Sequence, residues 1–171
     1  MKKLFLLALA VLLQASGLEN IQSFEADFTQ SITNDKNTTL TYTGHVKATK
    51  PQLALWQYKT PVEKSIYITN TKAIVIEPEL EQVYIQKINA TFDFFRVLKH
   101  AKKINTETYS AKFQDTQYTI KVHNNTLLSI SYRDELDNSV KILFTKQINN
   151  KTYEDKEFEA NIPLDYDIIQ G

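Results

Sequence analysis

The stretch Phe24-Glu25-Ala26-Asp27-Phe28-Thr29-Gln30 decides the fold, because Phe24, Ala26 and Phe28 alternate with Glu25, Asp27 and Thr29. Successive side chains of a strand point to opposite faces, so this period of two describes a strand with one apolar and one polar face. A helical reading competes at the boundary. Leu18, Ile21, Phe24 and Phe28 also recur at helical spacing, with acidic Glu19 near the start, so the residues from Leu18 to about Ser23 are expected to form a short N-terminal helix.

Downstream the alternation dominates. After the turn-rich Asn34-Asp35-Lys36-Asn37, Leu40, Tyr42, Gly44 and Val46 share one face. Ala54, Trp56 and Tyr58 share another between Pro51 and Pro61, and Ile66 with Ile68, Ala73 to Ile76, and Val83 to Ile85 follow. The pattern resumes at Tyr109–Phe113, Tyr118–Val122, Leu128–Tyr132, Val140–Phe144 and Phe158–Ile162. Polar breaks at Gln114-Asp115, Asn124-Asn125 and Asp134–Asn138 separate these runs. About ten to eleven short strands at this spacing read as an antiparallel meander in a mainly β chain.

One segment departs from that rhythm. Phe92, Phe95, Leu98 and Ala101 recur at helical spacing with Phe94 and Val97 beside them. Thr91 suits an N-cap, Asp93 the first turn, and Lys99, His100, Lys102 and Lys103 the last turn. A helix of about eleven residues is too short to persist alone in water, so it must dock. A curved sheet of many strands either closes or leaves a concave apolar face open, and Phe92, Phe94 and Phe95 are either ordinary core or a cover for such a face.

The N-terminus reads as an export signal over residues 1–17: Lys2 and Lys3, then an apolar run from Leu4 to Leu13, then the small residues Ala15-Ser16-Gly17. As a helix that run spans only about 15 Å, too short for a hydrocarbon core of about 30 Å. The expectation is one exported domain, 18–171. Its charge after removal of two lysines is −2, from 18 basic and 20 acidic residues. That balance gives no electrostatic case for nucleic acid.

The inventory of reactive groups is thin. There is no Cys, so thiol chemistry and an acylated N-terminal Cys are excluded. Three glycines cannot build a phosphate loop. His45, His100 and His123 are scattered with no metal spacing. Asp134–Asn138 reads as a hairpin loop rather than a calcium loop. Nothing argues for an enzyme, a metal or a cofactor.

Taken in order, three pieces resemble one family. Phe24–Gln30 resembles the N-terminal signature of the LolA family of periplasmic lipoprotein carriers. Tyr42-x-Gly44, Lys50-Pro51, Trp56-Gln57-Tyr58 and Pro61 follow at the family's spacing, and Phe158 to Ile169 resembles its closing strand. The resemblance implies an incomplete, half-open antiparallel β-barrel with a helical lid over a hydrophobic cavity. It implies a monomeric periplasmic carrier that takes triacylated lipoproteins from an inner-membrane lipoprotein-releasing ABC transporter and delivers them to the outer membrane or an outer-membrane lipoprotein receptor. On this reading Tyr42, Ala54, Trp56 and Tyr58 line the acyl-chain cavity, and Phe92, Phe94, Phe95 and Leu98 form the lid. Lys50 stands where the family usually has an Arg that latches the lid; it keeps the charge but not the planar fork of donors. A periplasmic lipid-sensing regulatory domain of related half-barrel shape is the alternative reading.

Overall fold

Alternation wins over helical spacing at the decisive stretch: Phe24, Ala26 and Phe28 lie in a strand, buried to 1%, 0% and 2% exposure. The computed structural model describes residues 18, 20–87, 94–124 and 126–171. These form β1 (Ser23–Thr33), β2 (Thr39–Thr49), β3 (Leu53–Thr60), β4 (Lys64–Ile68), β5 (Lys72–Glu77) and β6 (Gln82–Lys87). A helix, α1 (Phe94–Lys99), interrupts. Then come β7 (Lys102–Lys103), β8 (Thr108–Phe113), β9 (Thr116–His123), β10 (Thr126–Arg133), β11 (Ser139–Asn149) and β12 (Asp167–Gln170).

All twelve strands belong to one sheet in the order β12-β6-β5-β4-β3-β2-β1-β11-β10-β9-β8-β7. Every pairing is antiparallel except β12 on β6, which is parallel. The pairing of β1 with β11 joins two meanders, and the edge strands β12 and β7 stay apart, so the sheet is open rather than closed. At one edge the two-residue β7 carries Lys102 and Lys103, both exposed, a charged terminus that discourages strand addition.

Two hairpin turns repeat one device. Asn34 Oδ1 accepts from the amides of Lys36 and Thr38, and Asp134 Oδ1 accepts from those of Leu136 and Asn138. Each turn closes through a left-handed residue, Asn37 (φ 58) and Asp137 (φ 62), which Asn and Asp tolerate best after Gly. The expected hairpin role of Asp134–Asn138 is therefore met.

Several expectations are corrected. Leu18 and Asn20 lie in a turn and β1 starts at Ser23, so the described part of the N-terminal stretch does not form the expected helix. Helix α1 covers six described residues rather than about eleven, and Lys102 and Lys103 leave it for β7. Phe92 lies outside the described residues, as does the leader 1–17. Phe158, Ala160 and Ile162 form no strand: Asp155–Phe158 is a 3-10 turn, and the chain then crosses the back of the sheet. There Ala160, Ile162 and Tyr166 pack on a small core of Ile74, Ile76 and Val83 before β12 adds to the edge. Leu128 is exposed at 42% while Leu127 and Ser129 are buried, because a bulge between them shifts the register by one residue.

Candidate functional site

The sheet is strongly concave. Ile66 and Ile68 of β4 and Tyr118 of β9 border one cavity, although five strands lie between β4 and β9 in the sheet. Laid flat, six strand spacings of about 4.8 Å would hold them about 29 Å apart. The right-handed twist of strands and the bulges in β3, β10 and β11 supply the curvature.

The cavity has a volume of about 230 Å³. Its wall is built from alternate residues of neighbouring strands: Trp56 and Tyr58 of β3, Gln30 of β1, Ile142 of β11, Ile130 and Tyr132 of β10. None of its lining residues is charged. A smaller apolar space of about 20 Å³ lies under the other end of β3, between Phe24, Val46, Ala48, Ala54 and Phe95. Trp56, Ile68 and Phe94 border both, so the Phe94 ring is one of the partitions between them.

Helix α1 forms because it can bury one side. Phe94, Phe95, Val97 and Leu98 are buried, while Arg96 and Lys99 stay exposed. The Phe94 ring lies 5.1 Å from Phe24 and 5.3 Å from Phe95, centroid to centroid, so the helix is seated on β1 by aromatic contact. Lys50 Nζ lies 5.8 Å from the centre of the Phe95 ring, and the Lys50 amide donates to the Gln22 carbonyl at 2.9 Å. Lys50, Phe95, Arg96, Lys99 and His100 border an open basic groove beside the helix.

The sequence-selected residues therefore converge. Ala54 borders the smaller space, Tyr58 the larger one and Trp56 both. Tyr42 lies one layer out, with its ring 5.7 Å from that of Tyr58. Phe94 and Phe95 lie over the apolar spaces, Leu98 is in the core behind them, and Lys50 touches Phe95. Sequence reasoning missed Gln30, Ile66, Ile68, Tyr118, Ile130, Tyr132 and Ile142. Alternation placed most of them on strand faces, but no local signal says which distant strands meet across a concave sheet.

On the far face of β1, Glu25 and Asp27 grip His45 of β2 at 3.0 and 2.8 Å. Lys151 and Tyr153 also reach Glu25, and Lys146 reaches Asp27. Burial pushes the Glu25 carboxyl up, but hydrogen bonds from Tyr153, Lys151 and His45 outweigh it and hold the group at about 2. Asp27 is held below its ordinary range chiefly by the His45 hydrogen bond. In the cavity, burial pushes the Tyr58 and Tyr132 hydroxyls up, so both stay protonated donors at neutral pH.

Known proteins are similar to this chain in sequence, and others in fold. A family model described as "Outer membrane lipoprotein carrier protein LolA" matches residues 19–93. An outer-membrane lipoprotein carrier protein of Campylobacter jejuni is 37% identical over 171 residues, covering 99% of this chain and 100% of that one. One from Helicobacter pylori strain J99 is 36% identical over 135 residues, covering 78% of this chain and 72% of that one. Among solved structures, an uncharacterised conserved protein of Thermus thermophilus superposes with a TM-score of 0.56 at 9% identity, covering 91% of this chain and 94% of that one. A LolA superfamily protein of Nitrosomonas europaea does so with a TM-score of 0.50 at 10% identity, covering 84% and 94%. These two likenesses concern the fold alone.

Proposed function

The chain belongs to the LolA family of outer-membrane lipoprotein carriers, and from that premise we propose that it shelters the acyl chains of lipoproteins in the cavity beneath α1 and carries them through the periplasm. The observation that carries this reading is the uncharged cavity of about 230 Å³ on the concave face, bordered by Phe94 of a short, displaceable helix. In this reading residues 1–17 are a cleaved export signal and 18–171 the carrier domain. The cargo is a triacylated lipoprotein, received from an inner-membrane ABC transporter and released to the outer membrane or a receptor there.

Magnitudes favour a cover that moves. An engineered cavity of about 150 Å³ takes one benzene, so about 230 Å³ holds on the order of ten carbons. A chain of about sixteen carbons exceeds that, and it enters only as Phe94 and Phe95 swing away. Burying it yields about 0.8 kcal/mol per methylene, on the order of 12 kcal/mol in all, which by itself would trap the cargo. Undocking α1 exposes Phe94, Phe95 and Leu98, and that cost offsets part of the gain, leaving an affinity from which cargo can be handed on. Ala54, Trp56 and Tyr58 serve as wall, Tyr42 as support behind Tyr58, and Lys50 as the contact that holds the closed helix.

Two measurements test this. Native mass spectrometry of the protein taken from the periplasm is expected to find intact triacylated lipoprotein bound; free lipid in its place would support a sensor instead. Phe95→Glu is expected to impair lipoprotein transfer in a reconstituted assay, and unchanged transfer would remove Phe95 from the cover.

A further inference from the structure

Gln30 is out of place in a purely hydrocarbon cavity. It is only 9% exposed, and it borders the cavity in the middle of β1 between Tyr42 of β2 and Ile142 of β11. A Leu or Ile there would suit a methylene chain better, and an amide in apolar surroundings is destabilising when it lacks partners. One of its four hydrogen-bonding positions is used: the Tyr58 hydroxyl donates to Gln30 Oε1 at 2.9 Å. That bond fixes the amide plane and turns Nε2, with its two N–H donors, the other way. Among the described residues Nε2 has no hydrogen-bond partner, yet no side-chain nitrogen or oxygen is both sealed from solvent and unpaired. Nε2 is therefore reachable, and the space that Gln30 borders is the cavity.

Resting on the acyl-chain reading above, we infer that Gln30, oriented by Tyr58, is a carbonyl-binding subsite: its Nε2 donates to the carbonyl oxygen, ester or amide, at the head of an acyl chain whose hydrocarbon fills the cavity. The surroundings select a neutral acceptor. No charged side chain lines the cavity, so a carboxylate would enter without a counter-charge. The other polar side-chain atoms there belong to Trp56, whose indole N–H is also a donor, and to the hydroxyls of Tyr118 and Tyr132, beside Tyr58, whose rings pack 5.1 Å apart. The subsite sets how deep a chain goes, because the carbonyl stops where the donor is.

Three probes separate hydrocarbon burial from carbonyl recognition: undecane, methyl decanoate and N-methyldecanamide. Trp56, the sole Trp, lines the cavity, so its emission reports binding of each to the mature protein. The C=O stretch of bound methyl [1-13C]decanoate reports the hydrogen bond directly. In the wild type the stretch is expected to fall below its value in alkane. Gln30→Met is expected to return it there and to weaken the ester and the amide roughly five-fold relative to undecane, the size of one net hydrogen bond. Tyr58→Phe keeps the ring but releases Oε1; it is expected to weaken both carbonyl probes several-fold more than undecane, and it decides the matter if Gln30→Met does not fold. Equal losses for undecane and the ester, or a stretch unaffected by Gln30→Met, overturn the subsite while leaving the cavity reading standing. Failure of all three probes to perturb Trp56 in the wild type overturns both.

Discussion

The ring of Phe28 lies over the backbone of Gly44, its registered partner on the adjacent strand, where a methyl group would come within 2.6 Å of Phe28 Cζ. The same methyl would meet the backbone carbonyl of Gln57 on β3, which cannot rotate away. Across from Gly44 the register shifts by one residue, Thr43 pairing with Thr60 and Gly44 with Tyr58, so β3 bulges and bends beside the ring. Phe28 is thereby pressed against Trp56 and Tyr58, at 5.1 and 5.0 Å between ring centres. One missing side chain thus sets the position of the aromatic wall of the cavity.

Gly44→Ala is accordingly expected to destabilise the protein by about 2–3 kcal/mol, in the range of overpacked cores. For a chain of this size that is a fall in Tm of roughly 5–10 °C. Thermal melts monitored by Trp56 emission check it. A shift below a degree would mean that β2 slides aside without strain and that the glycine is incidental.

The Lys50 contact is expected to hold α1 closed by a modest amount. A cation over an aromatic ring contributes about 0.5–1 kcal/mol at an exposed site. Lys50→Met should therefore speed exchange of the helix amides about two- to five-fold, read at His100 and Ala101, whose amides donate to Arg96 and Leu98. Lys50→Arg should slow it, since a guanidinium stacks better on a ring. Identical protection in all three proteins would show that Lys50 does not restrain the helix.

Most strands, and the shared face of Ala54, Trp56 and Tyr58, were readable because period-two alternation is a local signal; the pairing of β1 with β11 and the parallel addition of β12 were not. Nor was the concavity. Tyr118 and Ile66 carry no mark that they border the same space, because curvature sums small twists and bulges over several strands. Helix α1 was legible by its apolar spacing, whereas its C-terminal limit was not: Lys102 and Lys103 suit a helix end and a charged edge strand equally well. The stretch after Phe158 misled for a different reason. Ala160 and Ile162 alternate as strand residues do, but they face the back of the sheet as a strap without ladder partners.

The Glu25–His45–Asp27 cluster makes stability depend on acid. The folded Glu25 carboxyl, at about 2, lies below the value near 4.3 of an unfolded Glu. A depressed folded pKa contributes stability that is complete above the unfolded value and disappears as pH falls through the folded one. Tm is therefore expected to be level above about pH 5 and to drop between about pH 5 and 2. Glu25→Gln is expected to lower Tm at pH 7 and to flatten that drop. Parallel curves for the two proteins would show that other carboxylates carry the acid sensitivity.

Phe94 gives the most direct test of a cover that competes with cargo. Its ring borders both apolar spaces and packs on Phe24 and Phe95, so Phe94→Ala removes a core contact and a partition at once. The lost contact is expected to cost about 3 kcal/mol, the lower end for Phe→Ala, because the ring already borders open space. The merged space should then accept methyl palmitate without the work of displacing the ring, and the affinity is expected to rise about ten-fold, which is about 1.4 kcal/mol. Because ligand binds only the folded state, saturating methyl palmitate should recover more Tm in Phe94→Ala than in the wild type. Both effects come from one ring acting in place of the cargo. A variant that loses stability and binds methyl palmitate no better than the wild type would show that the ring is core and not a competitor.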